Sequence, residues 1–403
     1  MEKTYNIIPR PLYLNKIEPF IGKNLIKTLV GQRRVGKSYI LKSIAEIGKT
    51  RNPDSNIINI NLEDFAFSHI KNSTDLYEEV KKKIIEGKQN LIFIDEIQEV
   101  LDFDKVVRSL ILDDRNDVYI SGSNSKMLST DISSSLSGRN IEIRVHPLSY
   151  EEFLHFHKMQ DSDDSLNDYI RYGGMPYLIN LNNKETWMEY LNGLTDAIVY
   201  RDIIHRHSIR NTDFLQRLLS FLSDNIGQLF SSKKIVDYLK SQRLNTTVGA
   251  VQNYISYIEE ACIVNKVKRW DIEGKRFFEI GEKIFFEDPG IRNSIVGLRP
   301  NDLPGLMENL VYNHLKLSGY NVKVGRFTDG REIDFIAEKN GEIQYFQVAT
   351  SLIEEKTIER EFGNLLDIPD NYGKYVITYR DSAPVSYKGI KSLNLREFLM
   401  QIS

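Results

Sequence analysis

Apolar runs alternate with helical stretches along the first third of the chain. One of the predicted helices opens on Asp75, a residue type that caps helices, and stops at Gly87. Strands that alternate with helices predict a parallel sheet that is covered on both faces. The strands are predicted at Leu25–Val30, Ile57–Leu62, Leu91–Asp95, Val118–Ser121 and Ile141–Val145.

The pattern changes at His146-Pro147 and again after Asp288-Pro289. Between these points, short helices are broken at Gly173-Gly174-Met175-Pro176, and three longer helices precede a group of strands. The changes predict four parts: residues 1–148, 149–208, 209–290 and 291–403. The later elements are predicted as helices at Asp213–Asn225, Ser232–Ser241, Thr247–Ala261 and Leu306–Ser318, and as strands at Ile263–Trp270, Arg276–Ile280, Lys283–Glu287, Asn321–Val324, Ile333–Glu338, Gln344–Ala349 and Tyr375–Tyr379.

Composition narrows the class of protein. The chain has 403 residues, which is too long for a single hydrophobic core, and its 41% hydrophobic and 27% charged residues are typical of soluble globular proteins. A net charge of −3 gives no general affinity for nucleic acid or anionic membranes. The single cysteine, Cys262, excludes an internal disulfide and a cysteine zinc site. The sequence shows neither a signal peptide nor a membrane-spanning run, so we expect a cytoplasmic protein without membrane contact.

A phosphate-binding loop follows the first predicted strand. Residues 31–38 fit the pattern G-x-x-x-x-G-K-[ST], and a predicted helix comes directly after them. The glycines allow backbone N–H groups to turn towards an anion at the start of a helix. Lys37 would reach the β- and γ-phosphates of ATP, and the Ser38 hydroxyl would ligate Mg²⁺. The predicted nucleotide-binding residues are Gly31, Gln32, Arg33, Arg34, Val35, Gly36, Lys37, Ser38 and Tyr39.

Two carboxylates, Asp95 and Glu96, end the third predicted strand. Carboxylates that follow an apolar run cannot be core residues without partners. We predict that Asp95 holds the Mg²⁺ shell and that Glu96 is the general base that polarises the attacking water. A glycine-rich turn and a capping acid are the alternative explanation. The order of the two motifs argues against it.

Other polar residues end or precede strands in the same region. Asn124 or Ser123 would orient the attacking water, although Ser, Gly and Asn are equally typical of a turn that ends a strand. Arg139 lies just before the fifth strand, where it could stabilise charge on a γ-phosphate. Spacing alone favours a surface arginine at a helix end.

These motifs together resemble a known family. Residues 1–208 look like a prokaryotic AAA+ ATPase of the branch near signal-transducing and archaeal ATPases. The resemblance implies that Arg139 is an arginine finger acting on a neighbouring subunit of a homo-oligomer, and that residues 173–176 form a lid motif over the nucleotide. It is carried by the phosphate loop, Ile94-Asp95-Glu96-Ile97-Gln98, Gly122-Ser123, Ser137-Gly138-Arg139, and Pro147-Leu148-Ser149 followed by Glu152-Phe153.

Residues 211–287, three helices and a hairpin, resemble a winged helix. The third helix has an apolar stripe at Val248, Val251, Ile255 and Ile258, and its other face carries polar side chains suited to a groove or to phosphates. DNA binding through residues 211–287 is one prediction. Packing against the ATPase core or a protein partner is the other. The residues expected to contact DNA are Thr246, Thr247, Gln252, Asn253 and Tyr254 on the helix and Lys266, Lys268, Lys275 and Arg276 at the wing.

The last part resembles a restriction-endonuclease-like core. Glu308 on a helix and Asp334 at the start of a strand stand where active members carry metal-binding acids, and they define a second candidate metal site. Gln347 and Ala349 occupy the positions where active members have an acid and a lysine. We therefore expect a degenerate nuclease scaffold rather than a cleaving enzyme.

The predicted fold class is α/β: a P-loop NTPase (AAA+) parallel sheet with a helical lid, followed by a winged-helix domain and a nuclease-like α/β domain. The predicted function is an ATP-hydrolysing switch or motor, with ATP and Mg²⁺, that acts on DNA or a DNA-associated partner. A slow signalling switch without a DNA role is one alternative. An ATP-dependent DNA nuclease is the other.

Overall fold

The computed structural model describes residues 7–125, 136, 138–274, 276–380 and 386–401. The chain divides into two compact units. The first contains residues 1–147 together with 260–262, and the second contains residues 148–259 together with 263–403. The boundaries predicted near residues 208 and 290 lie inside the second unit and stay predictions.

The first unit is built on a five-stranded sheet in which every neighbouring pair is parallel. The strand order is β2-β3-β4-β1-β5. This confirms the parallel sheet that the alternation predicted. The strands are β1 Ile26–Val30, β2 Asn56–Asn61, β3 Asn90–Asp95, β4 Asn116–Gly122 and β5 Asn140–Arg144, and the helices are α1 Pro11–Ile17, α2 Lys37–Arg51, α3 Ser73–Lys83 and α4 Phe103–Leu110.

Strands β1, β3 and β4 are buried along their whole length. This is expected of inner strands in a parallel sheet, and it agrees with the apolar runs Leu91–Ile94 in β3 and Val118–Ile120 in β4. Strand β1 also buries Lys27, which pairs with Asp117 on β4. All five strands run in the same direction, so the carboxyl ends of β1, β3 and β4 meet at one edge of the sheet. The residues that follow these three strands are therefore brought together.

Helix α3 begins earlier than the sequence predicted. Its N-cap is Asn72, whose side chain accepts a hydrogen bond from the Asp75 N–H, so the capping residue is Asn72 and not Asp75. The Asp75 carboxylate instead accepts from the Lys71 N–H. The helix ends at Lys83, before the predicted stop at Gly87.

The second unit contains a nine-stranded mixed sheet in the order β13-β14-β12-β11-β10-β9-β7-β8-β6. The strands are β6 Leu229–Phe230, β7 Val264–Asp271, β8 Arg276–Phe286, β9 Asn321–Arg326, β10 Glu332–Lys339, β11 Glu342–Ala349, β12 Gly373–Thr378, β13 Ser386–Tyr387 and β14 Ile390–Asn394. The helices are α5 Tyr150–His157, α6 Asp163–Tyr172, α7 Lys184–Ile198, α8 Thr212–Asp224, α9 Ser232–Ser241, α10 Val248–Glu260, α11 Pro289–Val296, α12 Leu303–Leu317, α13 Glu355–Leu366 and α14 Leu395–Leu399.

The hairpin of β7 and β8 is part of this large sheet. Strand β8 pairs antiparallel with β6 and β7, and β7 also pairs in parallel with β9. The two strands predicted at Arg276–Ile280 and Lys283–Glu287 are one strand. Gly281 interrupts the sequence pattern there because it has a φ of +89° and a Cβ would lie 2.6 Å from the Arg269 guanidinium.

The Gly173-Gly174 pair packs against Asp288 within the second unit. The Gly174 N–H donates to Asp288 Oδ2 at 2.7 Å, and a Cβ on Gly173 would lie 2.1 Å from Asp288 Oδ1. Burial raises the pKa of Asp288 to about 6. Gly173 is therefore needed for close packing at Asp288, whereas a Cβ on Gly174 would lie 2.3 Å from the Leu148 carbonyl oxygen. The predicted role of residues 173–176 as a lid over the nucleotide stays a prediction.

No helix in the described part of the chain is both long enough and apolar enough to span a membrane.

Candidate active site at the phosphate loop

The phosphate loop leaves β1 at Gly31 and enters α2 at Lys37. A Cβ on Gly31 would lie 2.0 Å from the Val145 carbonyl oxygen, so only glycine fits at this point. Gly36 has a φ of 99°, a left-handed conformation that favours glycine. Helix α2 starts without a side-chain cap. Its first N–H groups and the positive end of its dipole are thus suited to an anion.

Lys37 is buried and folded back on its own loop. Its Nζ donates to the carbonyl oxygens of Gly31 at 2.9 Å and Gln32 at 3.1 Å. The same Nζ lies 3.9 Å from Glu96 Oε1. The loop and the end of β3 therefore form one site, as the sequence predicted from two separate motifs.

Gln32 provides a test of whether a nucleotide fits this loop. Its side chain is completely buried, and neither its Nε2 nor its Oε1 has a hydrogen-bonding partner in the described part of the chain. Buried polar atoms without partners cost about 1–3 kcal/mol each. Such atoms, an uncapped helix start and a buried lysine together suit a polyphosphate. Ser38 and Asp95 are the residues that would hold its Mg²⁺.

Two arginines support the loop. Arg10 is buried and donates to the carbonyl oxygens of Val35 at 3.0 Å and His146 at 2.9 Å. Arg33 lies within the loop and pairs with Glu63, which follows β2. Nothing in the sequence around position 10 indicates this role of Arg10, because its partners lie 25 and 136 residues away.

Asp95 and Glu96 have different surroundings at the end of β3. The Asp95 carboxylate accepts a hydrogen bond from the Ser121 hydroxyl on β4. Glu96 has a φ of 56°, a left-handed conformation that is uncommon for residues other than glycine. Such backbone geometry is often found at functional sites, and here it turns the two neighbouring carboxylates to different partners.

The charge of Glu96 is set by opposing effects. Burial works to raise its pKa. Lys37, a hydrogen bond from Gln98, Arg33 and a hydrogen bond from Ser123 work to lower it, and the pKa lies below its ordinary value. Glu96 is consequently a carboxylate at neutral pH, which is the form that can accept a proton from water.

Ser123 lies close to the Glu96 carboxylate, and both contact the Gln98 side chain. Gln98 Nε2 lies 2.5 Å from Glu96 Oε2 and 3.3 Å from Ser123 Oγ. Asn124, the next residue, is buried with 8% exposure. Ser123 is thus placed beside Glu96, while the role predicted for Asn124 stays a prediction. The sequence motif Ile94-Asp95-Glu96-Ile97-Gln98 includes Gln98 but indicated no role for it.

Arg139 lies at the opposite end of the strands, where β1 begins. Its carbonyl oxygen accepts from the Ile26 N–H at the start of β1, and its side chain is exposed. A strand rises about 3.3 Å per residue, so this point is roughly 13 Å from the end of β1 where the phosphate loop begins. Arg139 therefore does not belong to the group of residues around Lys37 and Glu96 in its own chain.

Comparison with known proteins places this site in a family. A family described as an AAA domain matches residues 23–154, and a domain of unknown function, DUF8612, matches residues 163–302. An uncharacterised protein of Haemophilus influenzae is 36% identical over 404 residues, covering 98% of this chain and 99% of that protein. The chain belongs to the family of this relative. An uncharacterised protein of Methanocaldococcus jannaschii is 30% identical and covers 91% of this chain and 84% of its own length.

Two solved structures also align with this family member. The Walker-type ATPase paby2304 of Pyrococcus abyssi has a TM-score of 0.49 and 13% identity, covering 70% of this chain and 93% of that chain. The Aeropyrum pernix ORC1 protein in complex with DNA has a TM-score of 0.37 and 12% identity, covering 73% and 94%. The parallel sheet with its phosphate loop is the fold of a P-loop NTPase, and residues 23–154 match the AAA domain.

This family member has a second group of charged residues, in its second unit. Lys283 on β8 lies with its Nζ 2.9 Å from Glu308, 2.6 Å from Glu332 and 3.5 Å from Asp334. Burial works to lower the pKa of Lys283, but the three carboxylates raise it above its ordinary value, so the ammonium group stays charged. Burial raises the pKa of Glu308 to about 8.

The lysine therefore supplies positive charge at the acids that the sequence predicted as a second metal site. No group of three or more His, Cys, Asp or Glu in the described part of the chain is arranged to hold a metal ion. The site predicted at Glu308 and Asp334 stays a prediction.

Gln347 takes part in the same group through hydrogen bonds. Its Oε1 accepts from the Asp334 N–H at 2.7 Å, and its Nε2 donates to Glu361 at 2.8 Å. Asp334 in turn accepts from the Val348 N–H at 2.9 Å. The Gln347 amide thus pairs with both the Asp334 N–H donor and the Glu361 carboxylate acceptor.

The polar face of α10 is exposed as the sequence predicted at Thr247, Gln252 and Asn253. Lys268 on β7 is also exposed, whereas Lys266 is paired with Glu259 at 2.9 Å. Lys275 lies outside the described residues, and of Arg276 only the backbone in β8 is described.

Proposed function

We propose that this protein binds ATP with Mg²⁺ and hydrolyses it. The observation that carries the proposal is the 3.9 Å approach of Lys37 Nζ to Glu96 Oε1, which joins an anion-binding loop to an ionised carboxylate. A buried cation beside a candidate base, at the edge where three parallel strands end, matches the needs of phosphoryl transfer to water. The AAA domain match over residues 23–154 supports the same reaction.

The residues divide the chemistry between them. The loop N–H groups and Lys37 bind the phosphates, and Lys37 exchanges its carbonyl partners for phosphate oxygens. Ser38 and Asp95 hold Mg²⁺, which neutralises charge on the phosphates. Glu96 accepts a proton from the attacking water as its oxygen bonds to the γ-phosphorus, and the bond to the β–γ bridging oxygen breaks. The products are ADP and inorganic phosphate.

We propose that turnover serves as a switch or motor step rather than phosphorylation of a small molecule. The support is a candidate hydrolysis site in the first unit and a second unit whose sequence contains no further phosphate-loop motif. A slow signalling switch would use the same residues at a lower rate. The ATP-driven nuclease alternative is less favoured, because Lys283 already neutralises the acids that would hold its metal.

The test is ATP binding and turnover by the wild type and by Lys37→Met. Loss of the charge-assisted hydrogen bonds from Lys37 should weaken ATP binding about 10- to 100-fold, measured by isothermal titration calorimetry with a non-hydrolysable analogue and Mg²⁺. A wild type that binds no nucleotide contradicts the proposal.

Mixing Lys37→Met protein with Arg139→Ala protein tests whether Arg139 acts on a neighbouring subunit. If Arg139 acts on a neighbouring subunit, the mixture recovers turnover that each variant alone lacks.

A second proposal concerns the substrate on which the switch acts. The exposed polar face of α10 and the exposed Lys268 on β7 support DNA binding by the part of the chain between residues 211 and 287. Helix α10 follows α8, β6 and α9 and precedes the β7–β8 hairpin, an order that suits a winged helix. Because the chain as a whole carries a net charge of −3, such binding would depend on local phosphate contacts from side chains such as Lys268.

Salt-dependent retardation of duplex DNA by the full chain tests this role. Lys268→Gln should weaken binding at every salt concentration and reduce the slope of log K against log salt by about 1. Lys184→Gln, which removes an exposed lysine on α7, is the matched control and should leave the slope unchanged. Absence of retardation at low salt, or equal effects of the two variants, argues for a protein partner instead.

A further inference from the structure

The Gln98 side chain joins the ends of two neighbouring strands. Its Nε2 lies 2.5 Å from Glu96 Oε2 after β3 and 3.3 Å from Ser123 Oγ after β4. A carboxylate can only accept hydrogen bonds, so the amide atom that faces Glu96 must be the nitrogen. The orientation of the Gln98 amide is thereby fixed by its neighbours.

This orientation leaves the other end of the amide without a partner among the described residues. Gln98 Oε1 is buried, and no donor reaches it from the residues that the structure describes. A buried acceptor of this kind is unfavourable unless a donor arrives from elsewhere. The acceptor belongs to the same side chain that holds Glu96, so a donor at this place would also lie close to the Glu96 carboxylate.

The partners of Glu96 are on both sides of its carboxylate. One oxygen faces Lys37 Nζ at 3.9 Å, and the other accepts the hydrogen bond from Gln98. The left-handed backbone of Glu96, with a φ of 56°, limits the positions open to its side chain. Gln98 is therefore the neutral group that fixes the orientation of a charged one.

We propose that Gln98 is a catalytic residue of the hydrolytic site: its amide nitrogen holds Glu96, and its carbonyl oxygen accepts a hydrogen bond from the attacking water. The proposal rests on the proposed ATPase function and adds a residue to it. The water would donate one O–H to Glu96, which receives the proton, and the other to Gln98 Oε1, which only orients the water. The hydrogen bond from Gln98 to Ser123 would connect this arrangement to the end of β4, the strand next to β1.

The test compares Gln98→Met, which has a similar length and no hydrogen-bonding group, with Gln98→Glu and the wild type. For Gln98→Met we expect kcat to fall about 10- to 100-fold while the KM for ATP stays within about twofold. For Gln98→Glu, which keeps the length of the side chain but places a second carboxylate against Glu96, we expect a fall in kcat at least as large as in Gln98→Met. Lys105→Met, which removes an exposed lysine from α4, should change neither value.

A measurement without turnover separates the two proposals. The Kd for a non-hydrolysable ATP analogue with Mg²⁺, measured by isothermal titration calorimetry, should stay within about twofold of the wild-type value in Gln98→Met. A wild type that turns over ATP together with a Gln98→Met variant of unchanged kcat overturns the role of Gln98 and leaves the ATPase proposal standing. A rise in KM with unchanged kcat also overturns it. A wild type without turnover under any condition overturns the ATPase proposal itself.

Discussion

Replacing Glu96 with Gln should stop ATP turnover and leave ATP binding intact. The substitution keeps the size of the side chain but removes the carboxylate that accepts the proton of water, and general-base catalysis contributes about 100- to 10,000-fold to such reactions. The binding residues, Lys37 and the loop, are unchanged. Lys37 loses a negative neighbour at 3.9 Å and stays available to the phosphates. We expect kcat to fall by at least about 100-fold with Kd for a non-hydrolysable analogue unchanged or lower.

The control for this prediction is Glu86→Gln, which makes the same chemical change at an exposed position in the same unit. Phosphate release should be equal in Glu86→Gln and the wild type. If Glu96→Gln releases phosphate as fast as the wild type, Glu96 is not the base. If it also loses analogue binding, the substitution has disturbed the loop, and far-ultraviolet circular dichroism and a melting curve would show this.

The sequence predicted the parallel sheet and its loop well because both depend on local signals. Strands β3 and β4 are buried throughout, and the sequence shows this as the apolar runs Leu91–Ile94 and Val118–Ile120. Gly31 and Gly36 stand where the backbone of the loop requires them. Asp95 and Glu96 follow an apolar strand, where carboxylates need a special reason. Each of these features can be recognised within a few neighbouring residues.

Residues that act through distant partners could not be predicted in this way. Arg10 supports the loop through Val35 and His146, and nothing around position 10 indicates those partners. The second partner of Gln98 is Ser123, which lies 25 residues further along the chain. Lys283 looked like an ordinary lysine at the start of a strand. Its neighbours became known only when β8 joined the sheet that contains β10.

Contacts with distant residues also explain why several helices and strands near the carboxyl end were not predicted. Helix α13 and strands β13 and β14 were not predicted, although α13 buries Phe362 and Leu365 on one side. Its Glu361 is buried as well, and it is satisfied by Gln347 on β11. A buried charged residue breaks the apolar stripe on which a helix prediction depends.

Replacing Lys283 with Met should strongly destabilise the second unit. The ammonium group is the positive partner of Glu308, Glu332 and Asp334, and its side chain is only 4% exposed. Removal of one partner from a buried ionic group costs about 3–5 kcal/mol, because the remaining charges are left without compensation. We expect a loss of that size in the free energy of unfolding, measured with urea at pH 8.

The loss should depend on pH through Glu308. Its pKa in the folded protein is about 8, above the ordinary value of 4.5, so its contribution to stability is greatest below pH 4.5 and declines as pH rises towards 8. Lys283 limits this decline, because its charge lowers the pKa of Glu308. Without the lysine the pKa rises further and the decline becomes larger. The difference between wild type and Lys283→Met should therefore be smaller at pH 5 than at pH 8.

Two further variants identify the cause of the destabilisation. Lys184→Met removes an ion-paired lysine from the same unit, but that side chain is 55% exposed, so it should cost less than about 1 kcal/mol. Adding Glu308→Gln to Lys283→Met should recover part of the loss, because one of the unpaired charges is removed with it. If the double variant is no more stable than Lys283→Met, or if the loss is the same at pH 5 and pH 8, the lysine stabilises the sheet by packing alone. In that case Glu308, Glu332 and Asp334 do not depend on the Lys283 ammonium group for their stability in the folded protein.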